Sequence, residues 1–445
     1  MMVLKFGGTS VSSKENLEQI KVILSQKKEN YIVVVSAFSG ITNKLEQIIE
    51  QALIDEPFTL IEEFKNIHFK FIHELIPIKE QTELLIAVQE KCNELEAVCK
   101  GIHILKELTD KTRAKVLGVG EQLSSLIVHN YLNTQQIPIQ LLDSRDLICA
   151  NNDYLDGDVD FEVSTNNILK KIKEENYIVG GFIASNENNE TVLLGRGGSD
   201  FTASIYASAV RASSIEIWSD VDGIHSANPK KVKNTLSLKK LSYEEAFEMA
   251  YFGAKVIYPQ AILPLIKKKI PLYLKNTFHP EQKGTFISHS HKKSTHKIQG
   301  LSSLNDIAIL TVSGIGLSGK KGSARKVFQA LEEHNVNVIL ITQSCSEQSI
   351  GIGIKESDAD ISKKVLDLAF KSEIKGGTIR PMNVTKNLCI IALIGDNMKN
   401  KIGLAGKAFS IIGENGINIT AIAQGASERN LSIVIDQKDE VKALN

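Results

Sequence analysis

Over residues 1–285, short apolar runs alternate with stretches of helical period. The runs Val3–Phe6, Tyr31–Val35, Ile137–Leu142, Tyr177–Ile183, Thr191–Leu194, Ile215–Trp218 and Pro271–Leu274 are continuous and rich in β-branched residues. Strands covered on both faces read this way, so the pattern predicts a mostly parallel sheet with helices on either side, an α/β layer architecture. Between the first two runs, Leu17, Ile20 and Leu24 share one helix face, and Ser12 with Glu15 makes a capping box at its start. Residues 59–113 carry two or three helical patterns and no strand run, which predicts a helical insertion.

After a polar stretch at 288–296 the pattern changes. Residues 307–355 and 388–436 repeat one another, displaced by 81 positions: Gly314 pairs with Gly395, Gly322 with Gly403, Phe328 with Phe409, Asn337 with Asn418 and Gln343 with Gln424. Each copy reads strand, loop, helix, strand, strand, an α+β unit with one apolar sheet face. Such a unit leaves an edge that needs covering, so the two copies are expected to pack together, and edge pairing between chains predicts a homodimer or higher oligomer. The expected boundaries are 1–287 for the first domain, 288–300 for a linker, and 301–384 and 385–445 for the two repeat units.

Composition narrows the function. The 445 residues hold 52 basic and 52 acidic side chains, so a nucleic-acid binder is disfavoured. The five cysteines show no ligand spacing, which argues against a zinc site or disulfide framework and for a reducing, cytoplasmic setting. The strand pattern begins at Met2 and leaves no room for a signal peptide. No run reaches the ~20 apolar residues of a membrane span. The His-rich tract at 288–296 reads as linker before metal site.

Three strand-to-loop junctions and one helix end carry candidate chemistry. Lys5-Phe6-Gly7-Gly8-Thr9-Ser10 ends a strand with paired glycines ahead of a helix, where free N–H groups and a cation suit a phosphate. In Leu194-Gly195-Arg196-Gly197-Gly198-Ser199-Asp200 the planar fork of Arg196 suits a carboxylate, and Asp200 sits in a first helical turn. Trp218-Ser219-Asp220-Val221-Asp222-Gly223 ends another strand, with Asp222 read as a turn residue. Gly253-Ala254-Lys255 places a lysine at a helix end. A fifth motif, Gly314-Ile-Gly316-Leu-Ser-Gly319, matches GxGxxG but lacks the downstream acid and the hydroxyl of a P-loop, so a plain strand-to-helix loop is the better reading.

Taken in order, VLKFGGTSV (3–11), SAFSGITN (36–43), GVGEQLSS (118–125), GGFIAS (180–185), LGRGGSDFTA (194–203), WSDVDGI (218–224) and MAYFGAKVIYPQA (249–261) resemble aspartokinases of the amino-acid-kinase superfamily, and the repeat resembles their paired ACT regulatory domains. The resemblance implies an αβα sandwich followed by two ACT-like units, and ATP-dependent phosphorylation of the L-aspartate β-carboxylate with Mg²⁺ accompanying ATP and no confident protein metal ligand. It further implies that Lys5 stabilises the phosphoryl group in flight and Asp200 orients Lys5. Arg196 would hold the aspartate α-carboxylate and Glu121 its ammonium, with Thr42, Phe182, Gly197, Gly198 and Ser199 lining the pocket. Gly7, Gly8, Ser10, Ser219, Asp220, His225, Lys230 and Lys255 would lie along the nucleotide. The family more often has tyrosine at 225 and arginine at 230, which leaves those two roles in question.

Independently, an aspartate nucleophile is already ionised at neutral pH, so the reaction needs charge neutralisation and alignment and no base. A kinase for another small acid, such as glutamate, and a silent amino-acid sensor are the alternatives. Gln343 and Gln424, ending equivalent strands, and Asn337 and Asn418 are the candidate effector residues. ITQSCSEQS with IAQGASERN resembles the threonine-sensitive members, especially the kinase half of bifunctional aspartokinase–homoserine dehydrogenases, so threonine is favoured as inhibitor over lysine. The second copy stops early, which fits either a fragment of such an enzyme or a complete short one.

Overall fold

The computed structural model describes residues 1–253, 256–289, 298–317, 322–346, 348–398, 401–425 and 429–445. The chain forms two compact units: Met1–Ile224, Ser237–Tyr243 and Lys255–His291 in the first, His225–Leu236, Glu244–Ala254 and Lys292–Asn445 in the second.

The first unit contributes strands β1 Met2–Phe6, β2 Tyr31–Val35, β3 Gln140–Leu142, β4 Tyr177–Gly180, β5 Ile183–Ser185, β6 Thr191–Leu193, β7 Ile215–Ser219, β8 Lys240–Ser242, β9 Leu272–Asn276 and β10 Thr285–Ser288. Eight of them form one sheet in the order β3-β4-β2-β1-β7-β9-β10-β8. Every pair is parallel except β9–β10. Central strands such as β2 are buried at every residue, which is why they read as unbroken apolar runs. The helices are α1 Gly8–Val11, α2 Lys14–Ser25, α3 Ile41–Ile54, α4 Phe58–Leu75, α5 Thr82–Leu105, α6 Asp110–Leu117, α7 Val119–Thr134, α8 Phe161–Lys171, α9 Gly198–Ala209, α10 Tyr243–Tyr251, which crosses into the second unit, and α11 Leu263–Lys268. The stretch read as a helical insertion is α4, α5 and the start of α6.

Two local expectations are corrected. The N-cap of α2 is Ser13, whose side chain accepts from the Asn16 N–H at 3.2 Å. Ser12 instead closes the single turn α1, a helix that the apolar pattern is too short to reveal. The run Tyr177–Ile183 is broken: β4 stops at Gly180, Phe182 takes a left-handed φ of 67°, and β5 pairs with β6 in a separate two-stranded sheet. A Cβ on Gly181 would lie 2.6 Å from the Ser199 Cβ, so the break is set by close approach to α9.

The second unit is built on β11 Gly300–Ser313, β12 Leu340–Gln343, β13 Ser349–Lys355, β14 Asn383–Ile394, β15 Ile419–Gln424 and β16 Asn430–Asp436, with α12 Ser323–Glu332, α13 Ala359–Ala369, α14 Lys371–Lys375, α15 Leu404–Glu414 and α16 Glu440–Leu444. One antiparallel sheet runs β12-β13-β11-β14-β16-β15. The two long strands pair from Gly300↔Ile394 to Thr311↔Asn383. The first half of β11 therefore lies beside the part of β14 that carries β16, and Leu301 packs on the second copy's core of Cys389, Ile391, Ile433 and Ile435. The first half of β14 likewise serves the first copy, whose core takes in Met382 and Val384. A boundary at 384/385 thus cuts through a shared strand. Residues 225–236 and 244–254, read as part of the first domain, are tied into this unit. The Leu301 N–H donates to the Ser226 carbonyl at 2.7 Å, the Lys231 ammonium meets Glu440 at 2.5 Å, and the Asp396 N–H donates to Glu245 at 2.9 Å.

The Gly314–Gly319 loop makes internal contacts. The Gly316 N–H donates to the Thr378 carbonyl at 2.9 Å, and a Cβ on Gly314 would sit 2.3 Å from that same oxygen. Its last glycine, and the His-rich tract from 290 onward, lie outside the described residues.

Candidate active site

Parallel strands deliver their C-terminal loops to one edge of the sheet, where α/β proteins place their ligands. In the first unit a cavity of about 410 Å³ opens there. It is lined by Lys5 of β1 and Gly8 at the start of α1, by Ser36–Gly40, Thr42 and Asn43 after β2, by Glu121 of α7, by Phe182 after β4, and by Gly195–Asp200, which run from the loop after β6 into the first turn of α9. Lys5, Glu121, Thr42, Phe182, Arg196, Gly197, Gly198, Ser199 and Asp200, expected from separate parts of the sequence, meet in this one space.

At its charged centre the Lys5 ammonium lies 2.7 Å from Asp200, both side chains only about a tenth exposed. Gly7 turns its N–H to the Trp218 carbonyl at 3.1 Å, and a Cβ on Gly8 would come 2.8 Å from the Ala37 carbonyl. Glycine at position 8 is thus required for the two loops to approach.

Glu121 is buried, and one carboxylate oxygen accepts the Ala37 N–H at 3.2 Å while the other has no partner. Burial pushes its carboxyl up to about 8, against the opposing pull of the Ala37 N–H and the Lys5 charge. An unpartnered buried carboxylate oxygen facing a cavity is costly unless a cation from outside completes it.

Arg196 sits exposed between two left-handed glycines, Gly195 at φ 63° and Gly197 at φ 70°, and among the described residues it makes no ion pair. A Cβ at 195 would meet the Asp156 carboxylate and one at 197 the Tyr258 side chain, at 2.2 Å for the latter, so the arginine loop is hemmed in from both sides. Phe182 is held in its strained conformation by donating its N–H to Thr202 Oγ1 at 3.0 Å, which itself donates to the Gly198 carbonyl at 2.9 Å.

The expected nucleotide residues are less concentrated. Ser10 is fully buried and shares a 2.7 Å hydrogen bond with Thr277. Ser219 closes β7 with its carbonyl accepting the Thr277 N–H at 2.8 Å, and Asp220 beyond it is exposed. Asp222 accepts from Asn276 at 2.7 Å, a turn contact as expected. His225, bonded to Thr235 at 3.2 Å, and the exposed Lys230 belong to the segment held in the second unit. Lys255 lies outside the described residues. Among the described residues, no three His, Cys, Asp or Glu side chains converge as a metal site.

In the second unit, Gln343 and Gln424 end the two edge strands with exposed side chains, and Asn418 is exposed. Asn337, also exposed, hydrogen-bonds the Tyr251 hydroxyl.

Sequence reasoning assigned no role to Ser36, Ala37, Phe38, Ser39, Gly40 or Asn43. The signal was a strand that ends in small residues before Gly40, which takes φ 82° and caps α3. The helical insertion backs this loop, with Phe38 stacked on Phe71 of α4 at 4.4 Å between ring centroids.

The amino acid kinase family model matches residues 1–276, and the ACT domain model matches 310–370 and 391–445. The bifunctional aspartokinase/homoserine dehydrogenase of Haemophilus influenzae is 35% identical over 452 residues, covering 100% of this chain and 56% of its own length. The chain thus spans about half the length of the bifunctional relatives it matches. Aspartokinase 1, chloroplastic, of Arabidopsis thaliana is 30% identical, with 98% of this chain and 78% of the relative covered. E. coli aspartokinase III in complex with aspartate and ADP, the R-state, superposes with a TM-score of 0.87 at 26% identity over 100% of this chain and 98% of that one. The T-state of the same protein with lysine and aspartate gives 0.78. By its family match, its 30% identity to a chloroplastic aspartokinase over 98% of this chain and its fold, the chain belongs to the amino acid kinase family, in the aspartokinase branch that joins a kinase domain to ACT domains.

Proposed function

We propose that this chain transfers the γ-phosphoryl group of ATP to the side-chain carboxylate of L-aspartate, giving 4-phospho-L-aspartate, the first step toward lysine, threonine and methionine. The observation that carries the reading is the unpartnered oxygen of buried Glu121 in the same cavity as the unpaired Arg196. One anionic and one cationic group fit the ammonium and α-carboxylate of an amino acid, leaving the side-chain carboxylate as nucleophile. Thr42, Phe182 and Ser199 would line that amino acid.

The attacking carboxylate is ionised at neutral pH, so no protein base takes part. Its oxygen bonds to the γ-phosphorus as the bond to the β,γ-bridging oxygen breaks, and ADP leaves with the electron pair. Lys5, held by Asp200, neutralises the oxygens of the group in flight, and the backbone at Gly8 would cradle the phosphates, while Gly7 spends its N–H on the Trp218 carbonyl. Mg²⁺ bound with ATP would add further charge neutralisation. Ser219 and Asp220 would lie along the nucleotide, Ser10 would support the loop through Thr277, and His225, Lys230 and Lys255 keep nucleotide roles by resemblance alone.

The test is ATP consumption with aspartate, glutamate and homoserine in turn, trapping acyl phosphate with hydroxylamine. Hydroxamate from aspartate is expected, and its absence refutes the reading.

The ACT units would bind an amino-acid effector at Gln343 and Gln424, with Asn337 and Asn418 as further candidate residues, and threonine is our choice. Inhibition by threonine, lost in Gln343→Ala, is expected. Inhibition by lysine alone would reverse the assignment.

A further inference from the structure

β1 and β2 run parallel, and their last ladder bond is from the Ser36 N–H to the Phe6 carbonyl at 3.2 Å. Beyond it the chains part. Gly7 turns to β7 through its bond to the Trp218 carbonyl, and the β2 side turns to β4, whose following Gly181 donates to the Val35 carbonyl at 2.8 Å. The glycine loop and the 36–40 loop form adjacent walls of the cavity.

One hydroxyl rejoins them. Ser12 Oγ accepts the Ser39 N–H at 2.6 Å and donates its own proton to the Gly8 carbonyl. Its single hydrogen is thus committed to one loop and its lone pair to the other. Among the described residues no other side chain hydrogen-bonds both loops. Ser12 itself does not line the cavity.

We propose that Ser12 is a positioning residue that sets the separation between the phosphate-binding and acceptor loops, and so commits the phosphoryl group to the carboxylate over water. The inference rests on the aspartate-kinase reading above. Two reactions compete at the same phosphorus. In both, the bond to the bridging oxygen of ADP breaks. In transfer, a carboxylate oxygen forms the new bond. In hydrolysis, a water oxygen forms it and releases a proton, yielding ADP and inorganic phosphate. With the tie lost, the acceptor drifts from line and water enters.

The experiment compares wild type, Ser12→Ala and Ser12→Thr in the full chain, measuring ADP released and aspartyl hydroxamate trapped in the same reaction, with KM for each substrate. Wild type is expected to give close to one hydroxamate per ADP. Ser12→Ala should lower kcat about tenfold and reduce the hydroxamate-to-ADP ratio severalfold, with aspartate KM changed less than kcat. Ser12→Thr, which keeps the hydroxyl, should restore both. An unchanged ratio in Ser12→Ala, or a threonine variant no better than alanine, overturns the role. A wild-type chain that makes no hydroxamate overturns the kinase reading and this role with it, a result distinct from either variant outcome.

Discussion

On the proposed function, Glu121 titrates within the aspartate site. Its carboxyl, at about 8 in the empty cavity, stands well above the ordinary 4.5 because burial disfavours the charge. At about 1.4 kcal/mol per unit, this bias amounts to roughly 5 kcal/mol against the ionised form. The native state holds a proton that the unfolded state has released, so the stabilisation is complete below pH 4.5 and is lost as pH rises to about 8. An incoming ammonium reverses the balance by completing the orphan oxygen. Below pH 8 the site must give up its proton before it can pair with the substrate. Aspartate KM is therefore expected to fall with rising pH by up to about tenfold per unit and to level off above 8. ATP KM should not follow. Glu121→Gln removes the titration. Its aspartate KM should be flat with pH and roughly a hundredfold above the wild-type plateau beyond pH 8, the scale of losing one member of a buried charged pair. Without substrate at pH 8, the glutamine variant should melt above wild type, since it buries no charge. Steady-state kinetics between pH 6 and 9 and a thermal melt decide the matter. A flat wild-type profile, or a glutamine variant within threefold of wild type in aspartate KM above pH 8, refutes the argument.

The other predictions follow from single contacts. Lys5→Ala should lose most of kcat while nucleotide still binds in a fluorescence or calorimetric titration, and turnover within about tenfold of wild type would exclude the assigned role. Arg196→Lys should fail to restore the aspartate KM lost in Arg196→Ala, because a point charge cannot replace the planar fork, and equal KM in wild type and the lysine variant would count against carboxylate recognition. Gly197→Ala forces a Cβ into Tyr258 at a left-handed φ and should cost about 2–3 kcal/mol in a denaturant titration; an unchanged midpoint would mean that this loop is free to move.

The parallel sheet was legible because its strands are buried on both faces and carry unbroken β-branched runs, as in Tyr31–Val35. The break at Gly181–Phe182 was not, since both residues sit inside an apolar run and the cause is contact with Ser199, far along the chain. Lys5, Arg196 and Asp200 could be picked out because glycines beside them ended strands. Glu121 could not be found that way: it lies in the first turn of α7, so the sequence pointed to it through family resemblance, and its burial supplies the physical reason. The repeat announced two similar units through its 81-residue displacement. It was silent on the exchange of half-strands, because the exchanged segments, residues 300–306 and 383–387, are mostly polar and carry no continuous apolar run that would mark them as strand.

That exchange has a consequence for how the regulatory half of the molecule came to be and how it melts. A tandem duplication normally yields two modules that fold on their own and can be cut apart. Here each module is short of a half-strand that its twin provides. Severing the chain at 384/385 would strip Leu301 and the first half of β11 from the second copy's core, while the first copy, whose core ends at Val384, would keep its own side chains. The second copy therefore depends on the first for part of its core, and a distortion of β11 passes to it through shared backbone.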